Sequence, residues 1–197
     1  MISAAKNFTA RLSLSVCAAL LMAVPLGLTS ARAGGLPGFG DAPLIEAINN
    51  GETAKVNAAL LDGTSPNQRS LDGTPALVLA VGKHSLEIVT LLVDQGARLD
   101  IASTDETTPL TLAAVNGDTV IVAYLLDKKA DVDKAGALRE TALIKAIRSH
   151  HDDIVKILLD RGADANASDQ TGASALEIAR AGGQSAIVGM LKKKGAT

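Results

Sequence analysis

Apolar residues recur along the chain with a period of 33 residues, which is the distance from Leu44 to Leu77. Leucine opens five successive units, at Leu44, Leu77, Leu110, Leu143 and Leu176. Valine follows twelve residues after each leucine, at Val56, Val89, Val122, Val155 and Val188. Four units close on a carboxylate or amide side chain, at Asn67, Asp100, Asp133 and Asn166. Five units in phase, with no insertion or deletion, predict a repeat array.

The third unit shows the predicted shape of one repeat. Thr108 suits the N-cap because its hydroxyl can accept a hydrogen bond from a free N–H of the first turn. Pro109 suits the first helical position, where no N–H bond is lost, and Gly117 is expected to end this helix. A second helix is predicted over about residues 119–128 by the apolar stripe of Ile121, Val122, Leu125 and Leu126. Neither helix can bury its apolar face alone, so stacked units must share one core.

Short motifs recur in the same phase in several units. The chain has Thr108-Pro109-Leu110 in unit three, Ile88-Val89 and Leu91-Leu92 in unit two, and Gly162-Ala163-Asp164 with Asn166 in unit four. These motifs resemble the ankyrin repeat, and the resemblance covers about residues 41–197. It implies an all-α solenoid of five stacked helix-turn-helix units joined by β-hairpin-like loops. An armadillo or tetratricopeptide array would need a different period.

Several positions depart from that pattern. In unit two the pair Thr74-Pro75 stands one residue early, which leaves the cap of the first helix undefined. His150 takes the place of a glycine at the turn between the helices of unit four. Lys129 replaces the glycine that ends the other second helices, so a left-handed backbone there is expected to cost about 1 kcal/mol. Polar residues at the two ends predict solvent-facing terminal repeats: Lys55, Arg180 and Lys192.

The first 33 residues differ in composition from the repeats. Lys6 and Arg11 precede an apolar run from Leu12 to Leu28, and the triplet Ala31-Arg32-Ala33 follows. This order is typical of a secretory signal peptide, so we expect cleavage of residues 1–33, with residues 34–40 as a flexible leader. A retained membrane anchor stays an alternative, although the apolar run is short for a span. Export without a second anchor predicts a bacterial periplasm; secretion from a eukaryotic cell is the other alternative.

Charge and cysteine content exclude several classes of partner. The whole chain carries 19 Lys and Arg against 21 Asp and Glu, and removal of Lys6, Arg11 and Arg32 leaves 16 against 21, a net charge of −5. An acidic protein lacks the basic patch that binds nucleic acids or anionic membranes. The single cysteine, Cys17, lies in the predicted signal peptide, so the exported chain needs no disulfide. We expect no nucleic-acid partner and no stable membrane insertion after cleavage.

The sequence shows no constellation that predicts catalysis or metal binding. His84 and His150 occupy the same place two units apart, too far to share an ion. His150 and His151 are neighbours whose side chains point apart. No Gly-rich phosphate loop is present, and Ser149 has no evident orienting acid. We therefore expect no metal site, no cofactor and no enzymatic activity.

Loop tips and first helices form a concave face that contacts partners in the ankyrin family. The corresponding positions are Leu71, Asp72, Thr74 and Lys83 in unit two, Thr104, Asp105, Thr107, Val115 and Asn116 in unit three, and Leu138, Glu140, Arg148 and Ser149 in unit four. Leu71 and Leu138 are the strongest candidates, because the fold needs no apolar side chain at a loop tip. Arg148 is the expected polar anchor for a partner.

The chain also resembles exported bacterial ankyrin-repeat proteins. That resemblance implies a scaffold that holds a folded partner protein on its concave face, and thereby supports, protects or inhibits a periplasmic enzyme or toxin. Two other classes stay open at this stage. One is a structural envelope spacer with no specific partner, and the other is a hydrolase whose site is not apparent. We expect the scaffold to be a monomer that binds another protein.

Overall fold

The computed structural model describes residues 41–197, which form five helix-turn-helix units. The ten α-helices are α1 Pro43–Asn49, α2 Thr53–Leu61, α3 Ala76–Gly82, α4 Leu86–Asp94, α5 Pro109–Asn116, α6 Thr119–Asp127, α7 Ala142–Arg148, α8 Asp152–Asp160, α9 Ala175–Ala181 and α10 Ser185–Lys193. Odd-numbered helices are the first helices of the units, and even-numbered helices are the second. Each helix is short because a glycine, histidine or lysine with positive φ, or a polar loop, follows it. The all-α repeat solenoid predicted from the period is confirmed.

One continuous core runs through the stack. First helices pack on first helices from α1 to α9, and second helices pack on second helices from α2 to α10. The five phase-marking leucines are all at most 2% exposed, and the first four phase-marking valines are fully buried. Val188, in the last unit, is only partly buried because no further unit covers it within the described chain. Stacking, rather than any single helix pair, therefore excludes water from the core.

The helix caps follow the sequence signals. Thr108 accepts a hydrogen bond from the Thr111 N–H, and the Thr111 hydroxyl accepts from the Thr108 N–H, which completes a capping box before Pro109. Unit two differs, because α3 starts directly after Pro75 without a side-chain cap. The early Thr-Pro pair thus has a structural consequence: its proline lies in an antiparallel bridge with Arg69 rather than inside the helix.

Loops between units are partly hairpin-like. Isolated antiparallel bridges join Arg69 to Pro75 and Ser168 to Ser174. The loop before unit four instead contains a short 3-10 turn, Ala137–Arg139. Within residues 41–197 there is no longer strand.

The Asn and Asp residues that close the units link each unit to the next. Their side-chain oxygens accept a backbone N–H 31 residues further on, at 2.8–3.2 Å, in four pairs: Asn67 with Arg98, Asp100 with Asp131, Asp133 with Asp164, and Asn166 with Thr197. The second helices carry a parallel ladder of ion pairs: Asp94 with Lys128, Asp127 with Arg161, and Asp160 with Lys194. These contacts fix the register between units, although exposed ion pairs add little stability individually.

Two further expectations concern the backbone and the ends. Lys129 has φ +75°, the same left-handed conformation as Gly63, Gly96, Gly162 and Gly195 at the equivalent positions. Lys55, Arg180 and Lys192 are exposed, as expected of terminal repeats. None of the helices in the described part reaches the length and apolarity of a membrane span. The predicted signal peptide and leader lie outside the described residues.

Candidate functional site

Two acidic loop tips are built by the same local pattern, Ser-x-Asp-x-Thr. The Asp72 carboxylate accepts hydrogen bonds from the Ser70 hydroxyl and from the Thr74 N–H, the latter at 3.0 Å. Asp105 repeats this one unit later, with the Ser103 hydroxyl and with the N–H and hydroxyl of Thr107. These bonds, the serine hydroxyl first, hold the pKa of both carboxyls below the ordinary value. Both tips therefore present a fixed negative charge to solvent.

The loop tip of unit four has a different backbone. Gly136 replaces the serine of the other tips, and two consecutive non-glycine residues take positive φ values, +60° at Leu138 and +57° at Arg139. Such a conformation costs an L-residue on the order of 1–2 kcal/mol. The Leu138 side chain is 51% exposed. The strained tip thus presents an apolar side chain to solvent, as the sequence predicted.

The prediction that Glu140 is available to a partner is wrong. Glu140 is 2% exposed, and its carboxylate contacts the Lys145 ammonium at 2.5 Å and the Arg148 guanidinium at 2.9 Å. Threonine occupies this position in units two and three, and the longer glutamate side chain turns inward to meet the two cations of α7. A buried carboxylate needs such partners, because an unpaired buried charge is costly.

Arg148 is not a free anchor. Its guanidinium contacts Glu140 at 2.9 Å and also Asp169, in the loop of unit five, at 2.6 Å. Asp169 in turn accepts from the N–H groups of Thr171 and Ala173. The arginine therefore joins the loop tips of units four and five, and the cluster of Glu140, Lys145, Arg148 and Asp169 is electrically neutral.

An apolar groove lies on the concave face between units three and four. It encloses about 220 Å³ and is lined by Thr107, Thr111, Leu112, Val115, Ala137 and Lys145. Val115 is 40% exposed, although the other buried side of α5 already supplies its core contacts. Because the fold does not need an exposed valine there, the groove is a candidate contact for another apolar side chain.

The remaining predicted positions are placed less distinctly. Leu71 is 79% exposed at the tip of unit two, and its N–H donates to Asp41 at 2.7 Å. Lys83 and Thr104 are exposed, and Thr74, Thr107, Asn116 and Ser149 are half-buried. Leu71 and Leu138 belong to units two apart, roughly 20 Å at the usual spacing of packed helices, so they cannot form one patch.

The histidines link units, a role that the sequence prediction did not assign. His84 Nδ1 lies 2.9 Å from Asp118 Oδ2, and His151 Nε2 donates to the Val115 carbonyl at 2.9 Å. His150 Nδ1 lies 2.9 Å from the Gln184 amide nitrogen. Partners 34 residues apart were a readable signal, since that spacing also governs the ion-pair ladder. In residues 41–197 no three His, Cys, Asp or Glu side chains converge as a metal site would require.

Comparison with known proteins identifies the repeats. A family model described as ankyrin repeats, three copies, matches residues 44–136 and again residues 133–197. The two matches together span the five units seen in the structure. No curated protein matches the chain.

Proposed function

Because the chain belongs to the ankyrin-repeat family, we propose that it is an exported scaffold that holds a folded partner protein on its concave face. Ankyrin repeats are protein-binding scaffolds in general. The observation that carries the proposal is the exposure of Leu71, Val115 and Leu138 on loop tips and on a first helix. Core packing requires none of these three side chains to be apolar where they are.

The inter-unit contacts support a rigid surface of this kind. Side-chain oxygens hold the next unit's backbone, and the ion pairs of the second helices run along the opposite side. A pre-organised face loses little conformational entropy when a partner binds, which favours affinity. Such a face suits support, protection or inhibition of a periplasmic enzyme or toxin; an inhibitor would bind the most tightly.

Capture of the partner tests the proposal. The full chain carries a C-terminal tag in its own cells, and proteins bound to it are recovered from the cell envelope. A Leu71→Arg/Leu138→Arg variant places charge on two loop tips of the concave face. A Leu61→Arg/Val120→Arg variant is the matched control, because Leu61 and Val120 are 70% and 64% exposed on second helices.

We expect the wild type and the control variant to recover the same partner, and the loop-tip variant to lose it while remaining folded. Equal recovery by all three proteins would place binding elsewhere. Recovery of no partner by any of them would favour the envelope spacer.

Export is tested separately by the N-terminus of the mature protein. Cleavage after Ala33 predicts a protein that starts at Gly34 in the soluble envelope fraction. A protein that retains Met1 and sediments with membranes would instead indicate a retained anchor.

A further inference from the structure

An apolar strip with an open floor crosses the first helices of units two and three. Leu79 in α3 has the place that Leu112 has in α5, and both are partly buried against the core. Gly82 follows Leu79 by one turn, and Val115 has the equivalent place after Leu112. These four residues are here called the apolar strip.

Gly82 is not required by the fold. A Cβ at this position would meet only the Leu112 Cδ2 atom, at 3.8 Å, which is ordinary van der Waals contact. The equivalent positions in the other units hold Asn49, Val115, Arg148 and Ala181. A glycine inside a helix costs about 1 kcal/mol relative to alanine. Its absent side chain instead leaves room for close approach of another molecule to the backbone.

Charge around the strip is uneven. Three acids stand at the adjacent loop tips, Asp72, Asp105 and Glu106, and in the described residues none of them forms an ion pair. The Asp105 carboxylate lies 3.0 Å from the hydroxyl of Thr107, which lines the groove. The cations at the far side of the groove, Lys145 and Arg148, are neutralised by Glu140 and Asp169.

Two further cations lie away from those acids. Lys83 follows α3 at the turn between the helices, and Arg139 stands at the tip of unit four. The loop-tip edge of units two and three is therefore the acidic edge of the strip. A cation there would be attracted without having to displace an existing partner.

Resting on the proposed function, we propose that the apolar strip receives an apolar side chain of the partner protein that is flanked by Lys or Arg. The apolar side chain lies over Gly82 between Leu112 and Val115, and its basic neighbours face Asp72, Asp105 and Glu106. The partner is thus recognised through a basic segment rather than an acidic one.

Peptides of defined composition test this directly. The full chain, labelled at Leu and Val methyl groups and purified from its own cells, is titrated by NMR with acetylated and amidated GKLKG, GELEG and GKGKG. We expect GKLKG to shift the methyl signals of Leu112 and Val115. We expect GELEG and GKGKG to bind at least about tenfold more weakly, since each exposed charge pair changes affinity by a factor of about two and the apolar contact is lost in GKGKG.

Two sets of variants assign the effect. Gly82→Ala should weaken GKLKG binding, whereas Gly189→Ala, on the exposed side of α10 with no atom near its Cβ position, should not. An Asp72→Asn/Asp105→Asn/Glu106→Gln variant keeps the side-chain shapes and should lower GKLKG affinity by roughly tenfold and remove its salt dependence.

Equal or tighter binding of GELEG, no methyl shift with any peptide, or undiminished GKLKG binding by the neutralised variant would overturn the inference. Each result is independent of partner capture, which depends on Leu71 and Leu138. Recovery of a partner together with failure of GKLKG would leave the scaffold standing and remove only its preference for a basic segment.

Discussion

The imidazole ring of His151 lies against Gly117 in the preceding unit, where a Cβ atom on the glycine would come within 2.8 Å of the His151 Cε1 atom. The same ring donates to the Val115 carbonyl at 2.9 Å. Gly117 also has φ +80°. Glycine is therefore required there twice, once for the turn that ends α5 and once for the histidine that joins units three and four.

Replacement of Gly117 should destabilise the fold more than replacement of Gly51 at the equivalent turn of unit one. Gly51 has φ +68° and nothing within 4 Å of its Cβ position, so Gly51→Ala pays only for the left-handed backbone, about 1 kcal/mol. Gly117→Ala adds the collision with His151 and should cost about 1–3 kcal/mol more. Urea unfolding measures both. Equal losses would show that the imidazole moves aside freely.

Lys129→Gly should raise the melting temperature. The φ of +75° at Lys129 costs a lysine roughly 1 kcal/mol that glycine does not pay, which corresponds to about 3 °C for a domain of this size. Lys129→Ala is the control, because it removes the side chain and keeps the strain. An unchanged or lower melting temperature for the glycine variant would refute the strain.

Glu140→Gln should lower the free energy of unfolding by about 1–2 kcal/mol. The neutral amide leaves Lys145 and Arg148 without their buried counter-charge, and their partial exposure keeps the loss below that of a fully buried pair. Glu106→Gln, at an exposed loop tip, is the matched control and should change little. The two variants would be compared by urea unfolding at neutral pH, and similar values would argue against the cluster.

Asp169 should make the fold sensitive to acid. Hydrogen bonds from the Thr171 hydroxyl and from the Thr171 and Ala173 N–H groups, with the charge of Arg148, lower the pKa of Asp169 below 3.8. A carboxyl with a depressed folded-state pKa stabilises fully above its unfolded value and loses that contribution as the pH falls through its folded value. Asp169→Asn should therefore be less stable than the wild type at pH 7, and the difference should shrink below about pH 3.8.

Chemical unfolding at a series of pH values measures that difference. Asp62→Asn, at the exposed end of α2, serves as the control. A gap between wild type and Asp169→Asn that stays constant from neutral to strongly acidic pH would contradict the linkage.

The period made most of the fold predictable. Leucine and valine in phase mark buried positions, and Thr108, Pro109 and Gly117 mark helix ends by local chemistry alone. The left-handed backbone at Lys129 followed from the same alignment of units. Such features depend on neighbours close in sequence or on repetition, which a single chain displays.

The interior position of Glu140 could not be predicted in this way. It depends on Lys145 and Arg148 reaching back from α7, and on Asp169 contributed by the following unit. The contacts at spacings of 31 and 34 residues, by contrast, were present in the pattern. Asp127 with Arg161 shows that a period of 33 pairs a residue with one slightly out of phase in the next unit.

Hydrogen–deuterium exchange of the full chain, free and bound to its captured partner, tests the central claim most directly. If the concave face holds the partner, exchange should slow at residues 71–74, 104–107 and 137–140 and stay unchanged in the second helices α2, α4, α6, α8 and α10. Slower exchange confined to those second helices would contradict the account.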